Sequence, residues 1–308
     1  MKTTLVTCYV NPDLDGIAGA IGYVEFLAKS GQVAQVGIIG DIHEEARYVF
    51  DRFHFPYPPA LASSEGYEQV ILVDASDLNG LEGKIDPQKV IEVIDHRQVH
   101  EADKFPQAKI QIELVGAAAT LIAEKFMQTH IPISLEAATL IYSAIISNTL
   151  NFKAPVTTDR DRQAAAWLNQ TAKLDDNFWK ELFTAKSDLS GEKLEERIRG
   201  DFAWFEFGGK KLGIAQVEMI GVATLLAQRE AEIIAILKQL KTELKLDFIF
   251  QNTIELEEGK NFLVVADEDS KKLLIATLNL EFKGQIAMRP ELIMRKQIGP
   301  LIKAYLEQ

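Results

Sequence analysis

A chain of 308 residues, 47% hydrophobic and 25% charged, has room for two globular domains with ordinary cores. Its formal net charge of -12 argues against general affinity for nucleic acid or an anionic membrane, which need basic surface, but leaves room for a local basic pocket. The sole cysteine, Cys8, excludes an intramolecular disulfide framework and agrees with a cytoplasmic protein; no apolar run is as long as a membrane span, and no signal-peptide cleavage pattern follows Met1-Lys2-Thr3-Thr4.

Residues 4–10 read as a buried strand, Asn11-Pro12-Asp13 as a turn, and residues 16–30 as a helix with Ile17, Ile21, Val24, Leu27 and Ala28 at helical spacing. A strand over 33–39, a helix over 44–53, a loop over 56–59 and strands over 69–73 and 90–94 follow. Residues 114–129 and 135–149 read as helices, the second apolar enough to be central. Strands alternating with helices predict a mainly parallel sheet flanked by helices over residues 1–186. A polar linker is expected over 187–199, and a smaller α+β domain over 200–308. Within it, a hairpin turns at Gly208-Gly209 and a long helix spans 223–244; short strands are expected over 248–251, 262–266 and 275–280.

Acidic groups follow three strands of the first half: Asp13-x-Asp15, Asp74 and Asp95-His96. In an open parallel sheet the carboxyl ends of strands line the ligand crevice, so these residues converge. Carboxylates with an imidazole suit Mn²⁺, Mg²⁺ or Co²⁺. Each taken alone has a plainer reading: Asp13 or Asp15 as a helix cap, His96 as a surface or hydrogen-bonded side chain.

The string Asn11-Pro12-Asp13-Leu14-Asp15 resembles the first motif of the DHH phosphoesterases, Val73-Asp74 the second, and Asp95-His96-Arg97 the motif that names them. Residues 113–120 and 143–153 are similar to later segments of that domain, Gly213-Ile214-Ala215-Gln216-Val217 to the opening of its partner domain. Arg295-Lys296-Gln297-Ile298 with Pro300 resembles the basic signature of the second domain in manganese-dependent inorganic pyrophosphatases. The resemblance implies a metal-dependent phosphohydrolase acting on pyrophosphate, short polyphosphate or a small phosphoester, with its active site between the two domains. It implies that Asp13 and Asp15 each bind an ion, that Asp74 bridges, that His96 ligates, and that Arg97, Arg295 and Lys296 hold the small phosphorylated substrate. It further implies a homodimer.

Four positions depart from that pattern: Tyr9 stands where the pyrophosphatases carry a metal-binding His, Arg97 where they carry a second His, Asn148 where they carry an Asp, and Ala203 where they carry a Lys. Asp-His-Arg is shared with the prune-type exopolyphosphatases. Asn148 offers a carbonyl oxygen but no charge, so one ion or two remain open. The alternative function is a homologue that binds a phosphorylated ligand without turnover.

Overall fold

In the computed structural model, which describes residues 3–98 and 100–307, the apolar run after Thr3 becomes strand β1 (Thr4–Thr7), with Leu5 and Val6 fully buried. Helix α1 (Leu14–Lys29) follows the Asn-Pro-Asp turn. The stretch expected as one strand over 33–39 is two: β2 (Gln35–Val36) pairs with β1, and β3 (Ile38–Ile39) joins β4 (Ala60–Leu61) in a separate two-stranded sheet. The chain changes partner at Gly37, whose N–H still donates to Val6 while that of Ile38 donates to Pro59. Helix α2 (Glu44–Phe53) lies between β3 and β4 in sequence.

Strands β5 (Gln69–Val73), β6 (Val90–Asp95) and β7 (Lys109–Ile112) complete a five-stranded sheet in the order β2-β1-β5-β6-β7. All its pairings are parallel. Burial of Val70 to Val73 on successive positions explains why β5 reads as a continuous apolar run rather than an alternating one. Helices α3 (Ala118–Thr129) and α4 (Leu135–Asn148) pack on α1, and α5 (Asp159–Ala172) packs on α4; α6 (Phe178–Lys186) follows. Neither α5 nor α6 is assigned by the sequence reading. Gly19 lets α1 approach the sheet closely, since a Cβ there would lie 2.6 Å from Val73 Cγ1.

The chain divides into two compact units between Ala185 and Lys186. In the second, helix α7 (Lys193–Gly200) occupies the latter part of the polar stretch, with Leu194 and Ile198 buried in that unit's core. The hairpin β8 (Phe202–Phe207) and β9 (Lys210–Met219) turns at Gly208 and Gly209, both at positive φ. Helix α8 (Val222–Leu244) crosses over to β10 (Phe248–Glu255), which pairs parallel to β9. Next come β11 (Lys260–Val265), helix α9 (Glu268–Leu278), β12 (Phe282–Lys283), β13 (Ile286–Arg289) and helix α10 (Arg295–Leu306).

The strand expected over 275–280 is the end of α9 and its cap. Asp267 caps that helix through Ser270 N–H, Leu273, Leu274 and Leu278 are buried at helical spacing, and Asn279 ends it in the left-handed region. Among the described residues, no helix is long and apolar enough to cross a membrane.

Candidate metal centre

Because β1, β5 and β6 are parallel neighbours, the segments leaving their carboxyl ends come together. Asp13 caps α1, its Oδ1 accepting the N–H groups of Asp15 and Gly16 at 2.9 and 3.2 Å. The Tyr9 hydroxyl oxygen accepts the Asp13 N–H at 2.9 Å. Buried Glu45 of α2 accepts from Leu14 N–H and from the Ser147 hydroxyl, tying α1 to α4.

Asp15 is 1% exposed. The N-cap residue of helix α3, Ala117, has no polar side chain to cap it. Asp15 supplies the missing acceptor: Oδ2 takes Ala118 N–H and Oδ1 takes Ala119 N–H, each at 2.8 Å. The positive end of α3 thus holds a carboxylate. Asn148, at the end of α4, donates from Nδ2 to Asp15 Oδ2 at 2.6 Å.

Asp74 sits in the left-handed region at φ 58°, unusual for a residue other than glycine. Its peptide is pinned on both sides: its N–H donates to Ile94 at 2.8 Å, and its carbonyl accepts from Arg97 Nη2 at 2.7 Å. Arg97 also reaches Asp77 at 3.3 Å and Asp95 at 3.6 Å, and lies 5.4 Å above the Tyr9 ring centroid. Expected on substrate, Arg97 has its guanidinium engaged by protein groups on several sides.

His96 is oriented by an acceptor that no side-chain pattern reveals. Its Nδ1 lies 2.9 Å from the Val115 carbonyl, which can only accept, so Nδ1 carries the proton. Nε2 is left facing Asp74 Oδ1 at 3.4 Å and Asp15 Oδ2 at 3.7 Å. Asp95 does not hold the imidazole ring: it accepts the His96 backbone N–H at 2.7 Å and the Ser76 hydroxyl. Val115 and the α3 amides are the positioning groups the sequence reading missed. The small-residue run Gly116-Ala117-Ala118-Ala119 is the available signal for them, since it permits close approach.

Electrostatically the site is short of positive charge. Burial, then the Asp74 charge, pushes the Asp15 carboxyl well above the usual range. Burial raises Asp74 to about 6, with the His96 hydrogen bond opposing and Asp13 adding. For His96, burial disfavours the charged ring, but hydrogen bonding and charge from Asp74, helped by Asp15, carry it up to about 10. An imidazolium is held where a cation is wanted; a divalent ion there would displace its proton, as metal binding to histidine generally does.

The donor chemistry fits such an ion. One ligand atom each from Asp15, Asp74 and His96 lie within 4.8 Å of one another, two hard oxygens and one imidazole nitrogen. Among the described residues this group does not include Asp13. Asn148 adjoins it through Asp15.

The second unit holds the expected basic pair at the start of α10. The Arg295 N–H donates to Gln216 at 2.7 Å, and its guanidinium binds the Asp201 carbonyl at 2.7 Å and carboxylate at 2.6 Å. Lys296 is exposed at the surface; partial desolvation lowers its pKa, with Glu218 opposing. Ala203 lies on β8, paired with Ile214.

Residues 3–145 match the DHH family, N-terminal domain, and residues 180–305 match the DHHA2 domain. The chain is 32% identical over 306 residues, 98% of each chain, to a probable manganese-dependent inorganic pyrophosphatase of Exiguobacterium sp. (strain ATCC BAA-1283 / AT1b). It is 30% identical, again over 98% of each, to the manganese-dependent inorganic pyrophosphatase of Bacillus subtilis. A crystal structure of a putative family II inorganic pyrophosphatase from Methanococcus jannaschii superposes with a TM-score of 0.76, at 30% identity and 98% coverage of both chains. By full-length similarity, domain order and fold, the chain belongs to the family of manganese-dependent inorganic pyrophosphatases.

Proposed function

We propose that this protein is a manganese-dependent phosphohydrolase that cleaves the phosphoanhydride bond of pyrophosphate. The observation that carries the reading is the convergence of buried Asp15 and Asp74 with partly buried His96 in one group. Those residues would hold the ion. Bound there, Mn²⁺ supplies positive charge for phosphoryl oxygens and makes water a better nucleophile at neutral pH. The rest of the site is preorganisation. Arg97 and Ile94 fix the strained Asp74 peptide, the α3 amides and Asn148 fix the Asp15 carboxylate, and Val115 fixes the His96 ring. Arg97 adds fixed positive charge beside Asp74. We assign a single high-affinity ion, because Asp13 caps α1 through Oδ1 and stands outside the group formed by Asp15, Asp74 and His96.

Arg295 and Lys296 are assigned to the substrate phosphates. Asp201 holds the Arg295 fork in place, whereas Lys296 has no hydrogen-bond or ion-pair partner among the described residues, which leaves its donors for phosphate oxygens. For the assembly we propose two copies paired through the open edge at β7, where Ile110 is 41% exposed.

The test is phosphate release from metal-stripped protein, with pyrophosphate, tripolyphosphate and longer polyphosphate, each with Mn²⁺, Mg²⁺ or Co²⁺ restored. Mn²⁺-dependent turnover of pyrophosphate, lost in Asp74→Ala, is the expected result. Stabilisation by pyrophosphate with no product would instead identify a binding protein.

A further inference from the structure

The two groups that orient Asp15 and His96 belong to one short segment. Its Val115 carbonyl accepts from His96 Nδ1, and its Ala118 and Ala119 amides bind the two oxygens of Asp15. Between them lies Gly116, and what fixes Gly116 comes from far away in sequence. The Gly116 N–H donates to both carboxylate oxygens of Asp161, at 3.0 and 2.9 Å. Asp161 lies in the first turn of α5 and is fully buried. It accepts further from the Thr120 hydroxyl at 2.6 Å, and from the Thr158 N–H and hydroxyl at 2.7 Å each. Space is as tight as the bonding: a Cβ on Gly116 would lie 2.5 Å from Thr149 Cγ2 and 2.9 Å from Asp161 Oδ2. The segment can therefore hardly shift unless Asp161 moves.

We infer that Asp161 is a positioning residue for the metal centre, setting through residues 115–119 both the carboxylate of Asp15 and the ring of His96. Its geometry is over-determined for a helix cap. The capping box with Thr158 needs one oxygen, Oδ2, while Oδ1 serves only Gly116 and Thr120. Asp161 touches neither ligand; it acts by holding the backbone that does. Groups that orient metal ligands in this way change metal affinity by about 10–100-fold when altered.

Asp161→Asn tests this with almost no change of volume. Gly116 N–H addresses both oxygens, so either orientation of the new amide sets an NH₂ group against that N–H. The inference rests on the metal-centre reading above, and two readouts on folded protein separate their failures. By calorimetry, Mn²⁺ affinity should fall at least about tenfold. By NMR of ¹⁵N-histidine-labelled, metal-free protein, the His96 Nδ1–H signal, sheltered by Val115, should broaden through exchange with water. Ser134→Ala is the control, since it removes the cap of α4 without touching residues 115–119, and should lower the melting temperature while leaving both readouts unchanged.

Asp161→Asn with parental affinity and a parental Nδ1–H signal would overturn the inference. An equal loss of affinity in Ser134→Ala would overturn it too, by showing a mere effect of stability. If the parent binds no Mn²⁺, the metal-centre reading fails and the Nδ1–H signal alone decides. Should Asp161→Asn not fold, Thr120→Val, which deletes one donor to Asp161, is judged by the same two readouts.

Discussion

Replacing Asn148 by Asp should convert this domain into one whose stability depends on manganese. Asn148 Nδ2 donates to Asp15 Oδ2 at 2.6 Å, so an aspartate in the same rotamer sets oxygen against oxygen. Two unit charges about 4 Å apart at an effective dielectric near 20 repel by about 4 kcal/mol. Protonation limits the cost: keeping a carboxyl neutral at pH 7 against an unfolded-state pKa near 3.9 takes about 4 kcal/mol. Asn148 is only partly buried, so about 2–4 kcal/mol is the working figure, or roughly 5–15 °C in melting temperature for a unit of this size. The new carboxyl has a raised pKa when folded. Its penalty is therefore full at pH 7 and fades as pH falls towards the unfolded-state value, where both states are protonated. The assay is thermal denaturation of Asn148→Asp beside the parent, in chelator and in saturating Mn²⁺. The variant should melt lower in chelator, recover in Mn²⁺, and bind the ion more tightly. A variant that melts within about 2 °C of the parent in chelator at pH 7, where about 1 kcal/mol should already be visible, would refute the reasoning.

Further expectations follow from the same geometry. His96→Ala should weaken Mn²⁺ binding by more than about 100-fold and reduce pyrophosphate hydrolysis to background, as measured by calorimetry and phosphate release. Metal analysis of the loaded protein should return one tightly held ion per chain; two would refute the single-ion assignment. Gly19→Ala forces a methyl against Val73 Cγ1, which should cost about 1–3 kcal/mol in denaturant unfolding and lower kcat, because Val73 adjoins Asp74. Lys296→Ala should raise KM for pyrophosphate about tenfold or more without lowering the melting temperature, since the ammonium it removes is exposed and has no hydrogen-bond or ion-pair partner among the described residues.

Much of the first unit is legible in the sequence because its central strands β1 and β5 are buried at successive positions and helices α1 and α4 bury broad apolar faces. Residues 44–53 and 69–73 read with the bounds they have in the fold. Asp15, Asp74 and His96 could be brought together on paper because strand ends in a parallel sheet share one side. Other features leave little trace. The acceptor for His96 and the amides that hold Asp15 are backbone groups, which no residue type announces. The commitment of Arg97 depends on the left-handed turn at Asp74, a conformation that an aspartate does not advertise. The helical end of α9 differs from the strand expected there because Leu-Leu-Ile-Ala-Thr-Leu is apolar enough to suit either period.

The capping of Asp15 by α3 and Asn148 also has a kinetic side. Asp15 and Asn148 are 133 residues apart in the chain, so their contact closes most of the first unit into one loop. Such a long-range contact is expected to form late in folding, after the sheet and the helices around it have come together. An ion that needs the finished contact cannot steady the folding transition state; it can only deepen the native basin behind it. Manganese should then act as a latch, lengthening the lifetime of the folded chain while leaving its rate of formation nearly unchanged. When manganese is scarce, the chain would fold as fast as before but open more often, exposing itself to proteolysis at a rate set by the supply of its own cofactor.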